Sequence, residues 1–251
     1  MKWWQEIRKY RTDITDYLIH WTKDLGTLLQ ILECGYFIPT FAPVYSYFGR
    51  EKRQTIRGLS PAVCFTEQPL DCFLRACKLR LGRYHPYGIV LHKYAVYAYG
   101  GRPVLYGDRR MLNALSDSYK YLWVQYNPIP GSDGYPLDFT HEREWRCLVS
   151  TEAQFGFNDL PKEGVPILLP WDASCNHDSY KFKLIVNTDD DAKILKEVLP
   201  EPPSSPSRCR ILNDYFERLR ETQIVSLEEI QKLLEVGQRG SIRFEELATS
   251  A

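Results

Sequence analysis

The stretch from His141 to Arg146 holds the pattern most suggestive of chemistry in this chain. Glu142 and Glu144 stand two residues apart, at the start of a strand-like run that continues to Val149. If the backbone is extended there, alternate side chains leave the same side of the strand, so the two carboxylates would lie together. Two acids in that position could stabilise positive charge that develops on a sugar ring.

A second candidate segment lies far upstream, where His20-Trp21-Thr22 ends an apolar run. Cleavage of the nicotinamide–ribose bond of NAD passes through an oxocarbenium-like state, much as glycoside hydrolysis does. A carboxylate could bond the ribose 2′-hydroxyl and stabilise that state. The imidazole of His20 could hold the other ribose, and the hydroxyl of Thr22 or Thr66 could support that sugar or the ring amide. The two segments together predict chemistry on NAD without a dinucleotide-binding fold.

Composition limits the compartment and the class of site. The 251 residues are enough to bury a substantial core, as one large or two small domains. Seven cysteines without regular spacing fit neither a disulfide framework nor a zinc finger, so no metal is expected. The amino terminus lacks the apolar stretch of a signal peptide, and no run approaches the length of a membrane span. We therefore expect a cytoplasmic protein that does not enter the membrane.

Charge is balanced overall but uneven along the chain. Residues 1–120 carry 18 basic and 10 acidic side chains, whereas residues 121–251 carry 14 and 22. The basic half could form a face for a polyanionic partner or for cofactor phosphates. Alternatively, the two halves attract each other within the fold.

Helices and strands alternate irregularly, which favours an α+β fold. The predicted strands are 16–19, 62–66, 87–93, 104–106, 145–149, 165–169 and 182–187. The predicted helices are 3–11, one from Asp24 to Gly35, one after Leu70 to about 81, 112–126, one from Thr188 to Leu199, 208–221 and 226–236. Pro200 to Ser207 is the clearest boundary, so we expect a domain over 1–199 and an appendage of linker and helices over 200–251.

These segments resemble the motifs of the ADP-ribosyltransferase superfamily. His20-Trp21-Thr22 matches the His-x-Thr that ends a core strand in the diphtheria-toxin-like branch. Residues 28–35 are similar to the "ILxxG" element of DarT-like toxins, which modify DNA bases. Phe65-Thr66 resembles the aromatic–hydroxyl strand of the second motif, and Glu142-Arg143-Glu144 has the Glu-x-Glu spacing of the third.

The resemblance implies a split β-sheet core with flanking helices, in which NAD lies in a cleft between two small sheets. Glu144 would be the catalytic glutamate, and Glu142 would help with the acceptor. The implied NAD-binding residues are His20, Thr22, Tyr36, Arg57 and Thr66. Tyr45 or Tyr47 could replace Tyr36 as the residue that stacks on nicotinamide, and Arg53 could replace Arg57.

A closer resemblance is to AbiGi, a bacterial abortive-infection family, through "LIHWT", "VCFTEQPL" and "FTHEREWR". It spans about residues 15–150, or 15–199 at most, and implies a toxin or phage-defence effector that transfers ADP-ribose from NAD. A nucleic acid is the favoured acceptor, with a protein side chain as the alternative, and an antitoxin would be a partner. AbiGi-like proteins are also labelled antitoxins, so a non-catalytic interaction protein on the same fold is the alternative. An NAD-consuming hydrolase is a third possibility.

The same residues also have structural interpretations. Glu142, Arg143 and Glu144 could belong to a solvated edge strand with cross-strand ion pairs. His20 could be a hydrogen-bonded core histidine, and Thr66 an ordinary strand residue.

Overall fold

A computed structural model describes residues 15–41, 43–45, 52–70, 72–74, 86–129, 136–149, 164–167, 182–201, 215–216 and 218–236. The strands are β1 Tyr17–Thr22, β2 Tyr36–Phe37, β3 Pro43–Tyr45, β4 Lys52–Gln54, β5 Val63–Thr66, β6 Tyr87–His92, β7 Arg102–Pro103, β8 Leu105–Gly107, β9 Trp123–Gln125, β10 Glu144–Cys147, β11 Val165–Pro166, β12 Lys183–Val186 and β13 Gln223–Ser226. The helices are α1 Leu25–Cys34, α2 Lys93–Ala98, α3 Arg109–Ala114, α4 Asp189–Val198 and α5 Leu227–Val236, with 3₁₀ turns at Lys120–Leu122 and Thr140–Glu142.

Seven of these strands form one mixed sheet, in the order β13-β12-β6-β1-β5-β10-β7. Neighbouring strands pair antiparallel except β12 and β13, which are parallel. The remaining strands form the two-stranded pairs β2–β11, β3–β4 and β8–β9. This mixture of helices with a large, mostly antiparallel sheet agrees with the α+β class.

The sheet is covered on both faces, and alternate residues of each strand enter different cores. We call the two sides the α1 face and the α5 face, after the helices that pack on them. The core of the α1 face includes Leu18, Leu28, Leu32, Phe37, Phe65, Ile89, Trp145, Cys147 and Leu184. The α5 face carries two smaller cores. One includes Tyr17, Ile19, Phe73, Val90, Ile185 and Ile230, and the other includes Ile56, Ala62, Tyr121 and Leu122.

Helix α1 begins and ends as its sequence predicts. The Asp24 carboxylate accepts a hydrogen bond from the Thr27 N–H at 2.7 Å, which caps the first turn. Gly35 ends the helix with φ 74°, a left-handed conformation that costs glycine little. Helix α4 follows Thr188 as predicted, and Thr188 and Asp191 exchange hydrogen bonds in a capping box. Strands β1, β5, β6, β10 and β12 lie where strands were predicted, with ends that shift by a few residues.

The helix predicted over 112–126 is wrong. Asp108 caps a short helix that ends at Ala114, and the chain then turns into β9. Strand β9 pairs in parallel with β8, and the Trp123 indole N–H donates to the Asp108 carbonyl. Pairing with a distant strand therefore overrides the local helical pattern. The strand predicted over 104–106 is also displaced, because the chain forms β7 and β8 on either side of Val104.

The carboxy-terminal segment was predicted to be purely helical after its linker, and this is wrong at β13. Strand β13 pairs with β12 over four residue pairs and extends the central sheet. The fully buried Tyr215 also enters the core of the α1 face and donates to the Leu32 carbonyl at 2.9 Å. The predicted helix 226–236 is confirmed as α5.

Several other predictions fall outside the described residues. These are the helix at 3–11, most of the helix after Leu70, residues 168–169 of a predicted strand, the linker after Glu201 and most of the helix 208–221. None of the helices in the described part of the chain combines the length and the apolar character needed to cross a membrane.

Candidate functional site

The three segments singled out in the sequence lie on neighbouring strands. Strand β1 carries His20 and Thr22, β5 carries Thr66, and β10 begins at Glu144. These strands are consecutive in the central sheet, in the order β1-β5-β10. The fold therefore brings together segments that are more than a hundred residues apart in sequence.

The register of these strands decides which side chains share a face. Thr66 pairs with Ile19 of β1 and with Glu144 of β10. Directly paired residues project to the same side of a sheet, so Thr66 and Glu144 project toward the α5 face with Ile19. Residues of odd and even number alternate along β1, so His20 projects toward the opposite, α1 face. The expectation that His20 and Glu144 line one cleft is not met by this geometry.

His20 is held on the α1 face as a neutral imidazole. Its ring lies 4.8 Å from the Phe37 ring and 5.8 Å from the Phe65 ring. Nδ1 lies 2.8 Å from the Cys64 carbonyl, which can only accept, so Nδ1 carries the proton. Burial lowers the pKa of His20, and the bond to Cys64 only partly offsets that effect. Thr22, on the same face, makes two long hydrogen bonds to the carbonyls of Asp24 and Tyr87, at 3.3 and 3.5 Å.

Glu144 forms an ion pair with a buried arginine on the α5 face. Arg146 Nε donates to one carboxylate oxygen of Glu144 at 2.8 Å, and Nη2 donates to the other at 3.3 Å. Arg146 Nη1 donates to the carbonyls of Tyr121 and Trp123. The Arg146 side chain is 2% exposed and that of Glu144 is 15% exposed. Burial opposes the charge of Arg146, but the attraction of Glu144 raises its pKa overall. The guanidinium is therefore a fixed charge that orients the carboxylate.

The backbone between the two glutamates is not extended, so the prediction that both leave one side of a strand is wrong. Glu142 ends a 3₁₀ turn, and Arg143 has a left-handed conformation with φ 44° and ψ 51°. The Thr66 hydroxyl donates to the carbonyl of Glu142, and the Glu67 N–H donates to that of Arg143 at 3.1 Å. The end of β5 thus holds the turn that leads into Glu144.

Tyr106 is a neighbour of Glu144 that sequence reasoning missed. The Glu144 N–H donates to its phenolic oxygen at 3.2 Å. Burial raises the pKa of Tyr106, and the negative charges of Glu144 and Glu142 raise it further. The sequence holds no signal for this contact, since Tyr106 belongs to an unremarkable strand prediction.

Of the other predicted NAD-binding residues, Thr66 is the direct cross-strand partner of Glu144. Tyr36 lies in β2, whose neighbour Phe37 packs on His20, and Arg57 is exposed between β4 and β5. Thr66 uses its hydroxyl for the turn at Glu142 and accepts from the Gln68 N–H at 3.0 Å. The side chains of Arg53 and Tyr45, and all of Tyr47, lie outside the described residues.

Among the described residues, no three His, Cys, Asp or Glu side chains are grouped as a metal ion would require. The α5 face offers a fixed carboxylate, Glu144, with the phenol of Tyr106 on its backbone N–H. In comparisons with known proteins, the chain matches no family model, no curated protein and no solved structure.

Proposed function

We propose that the chain transfers ADP-ribose from NAD, with Glu144 as the carboxylate that stabilises the ribosyl cation. The observation that carries this proposal is the partly exposed carboxylate of Glu144, which Arg146 holds in place at the start of β10, beside Thr66 of β5. The proposal includes an ADP-ribosyltransferase-like core. The acceptor, on the same resemblance, is a nucleic acid, and the setting is phage defence.

The fixed position of Glu144 suits it to this role. A carboxylate offers about four acceptor positions, and Arg146 occupies one on each oxygen. The remaining positions can accept from a ribose hydroxyl at the surface, where Glu144 is partly exposed. A carboxylate that is already oriented needs no rearrangement when positive charge develops, so its stabilising effect is greatest in the transition state.

The proposed reaction is a substitution at C1′ of the nicotinamide ribose. The bond from C1′ to nicotinamide breaks, and its electron pair leaves with the nicotinamide ring. The acceptor then forms a new bond to C1′, and its proton passes to Glu142. His20 and Thr22 take no part at Glu144, because they occupy the opposite face of the sheet; they support β1 and its neighbours.

The test measures the fate of NAD labelled on its adenylate phosphate. Purified protein is incubated with labelled NAD and with RNA, DNA or cell lysate. We expect the label to enter an acceptor and nicotinamide to be released, and Glu144→Gln to slow both by about a hundredfold or more. Glutamine accepts only one of the two hydrogen bonds from Arg146, so the folding of this variant is checked by its urea denaturation midpoint. Glu142→Gln should reduce transfer more than nicotinamide release.

The matched control is Asp190→Asn, which changes an exposed carboxylate on α4. It should behave as the unaltered protein. Equal activity of Glu144→Gln and Asp190→Asn would exclude Glu144 from the chemistry. Free ADP-ribose without a labelled acceptor would identify an NAD hydrolase instead.

A second candidate is a non-catalytic interaction protein on the same fold, such as an antitoxin. It is favoured by the ion pair between Glu144 and the buried Arg146, and by the placement of His20 across the sheet. This candidate predicts no nicotinamide release and no heat of NAD binding in calorimetry. Either of those signals in the unaltered protein would exclude it.

A further inference from the structure

Tyr106 contacts the backbone of Glu144 where the strand pairing next to β10 ends. Arg102 and Pro103 of β7 pair with β10, and the next residue, Val104, donates its N–H to the Glu144 carbonyl at 3.0 Å. The chain then leaves β10 to form β8. The N–H of Glu144 meets the phenolic oxygen of Tyr106 at 3.2 Å.

Both backbone polar groups of Glu144 are therefore bonded to the same short segment, 104–106. Its carboxylate is bonded separately to Arg146. The preceding residue, Arg143, has a left-handed backbone, which is costly for a residue with a side chain. Glu144 therefore begins β10 directly after a strained residue. The hydrogen bond from its N–H to Tyr106 fixes the backbone at this position.

We infer that Tyr106 is a positioning residue for Glu144 in the proposed transfer, acting through the N–H of Glu144. The inference rests on the proposed function. Burial raises the pKa of Tyr106, so its hydroxyl ionises at a higher pH than that of an ordinary tyrosine.

The test compares Tyr106→Phe, Glu144→Gln and the double variant, with Tyr119→Phe as the control. Tyr119 is an exposed tyrosine, so its hydroxyl should not affect turnover. We expect Tyr106→Phe to lower kcat for nicotinamide release about tenfold, the equivalent of one hydrogen bond, with KM for NAD within about twofold. If Tyr106 acts through Glu144, the double variant should be no slower than Glu144→Gln alone.

Hydrogen exchange of the Glu144 amide tests the contact itself and does not depend on activity. The exchange should be about tenfold faster in Tyr106→Phe than in Tyr119→Phe. Unchanged exchange would overturn the inference, as would fully additive losses of kcat in the double variant. Normal turnover by Tyr106→Phe beside an inactive Glu144→Gln overturns the role of Tyr106 and leaves the proposed function standing. No turnover by the unaltered protein removes both.

Discussion

The two faces of the central sheet treat their polar side chains differently. On the α1 face, His20 is neutral and lies among aromatic rings, with one hydrogen bond from Nδ1 to a backbone carbonyl. On the α5 face, Glu144 and Arg146 form a charged pair, and Arg146 also donates to the backbone carbonyls of Tyr121 and Trp123. His20 on the first face is uncharged at neutral pH, whereas Glu144 and Arg146 on the second face keep their charges and neutralise each other.

This difference shows that residues on neighbouring strands do not necessarily share a site. Strands β1, β5 and β10 are neighbours, so their motif residues are close along the sheet. The one-residue offset between His20 and the row formed by Ile19, Thr66 and Glu144 nevertheless sends the imidazole to the other side. A shared site needs matching register as well as neighbouring strands.

The largest effect is expected from removing the positive charge of Arg146 on the α5 face. Arg146→Met should lower the free energy of unfolding by about 3–5 kcal/mol, because it leaves the Glu144 carboxylate and two carbonyls without their partner. Urea denaturation measures the loss. Lys193→Met, which breaks an exposed ion pair on α4, should leave stability nearly unchanged. A similar small effect for Arg146→Met would mean that the buried pair contributes nothing.

The cysteines should show what the two faces have in common. Burial raises the pKa of Cys147 on the α1 face to about 12, and burial likewise raises that of Cys64 on the α5 face. Thiolates are the reactive form, so iodoacetamide should modify both at least about a hundredfold more slowly than the exposed Cys72. Peptide mass mapping of the native protein gives the rates. Rapid modification of Cys64 alone would show that the α5 face opens.

Two buried threonines offer a matched comparison of the faces. Thr66→Val removes the hydroxyl that holds the carbonyl of Glu142 and the N–H of Gln68, and should cost about 1–3 kcal/mol. Thr22→Val, on the α1 face, removes only two long hydrogen bonds and should cost at most about 0.5 kcal/mol. Thermal and urea unfolding measure both. Equal costs would contradict the unequal roles of the two hydroxyls.

The smallest expected effect is a pH dependence that arises from His20. Its folded pKa lies below the ordinary value of 6.5, whereas the unfolded chain has that ordinary value. Below about pH 6.5 the unfolded state binds the proton more readily, so stability should fall as pH falls toward the folded pKa. His20→Gln can still donate to Cys64 but does not titrate, so its stability should change less between about pH 7.5 and about pH 5. Parallel pH profiles for the two proteins would contradict this assignment.

Elements whose ends are set by nearby residues in the sequence were predicted well. Asp24 and Gly35 bracket α1 because a cap and a left-handed residue are local requirements, and the same is true of Thr188 and Asp191 at α4. Strands β1 and β5 follow from short runs of branched and aromatic residues. The proximity of the three motif strands was expected from the resemblance and is a feature of the fold.

The features that depend on distant pairing could not be predicted. The register of β5 between β1 and β10 sets the face of His20, and no local pattern encodes it. The left-handed Arg143 breaks the alternation expected for Glu142 and Glu144, and its partners are on β5. Tyr106 matters only because β7 ends beside Glu144. Strand β13 was missed because its four residues lead directly into α5.

The parallel pairing of β12 with β13 has a consequence for how the chain is made. Residues 183–186 are buried in the folded protein, where β12 pairs with β6 along one edge and with residues 223–226 of β13 along the other. During synthesis the backbone N–H and C=O groups along that edge stay unpaired until β13 has left the ribosome, and an unpaired edge can pair with the same edge of another molecule. A chain cut after Leu199 should therefore aggregate during expression even though every residue of the candidate site is present.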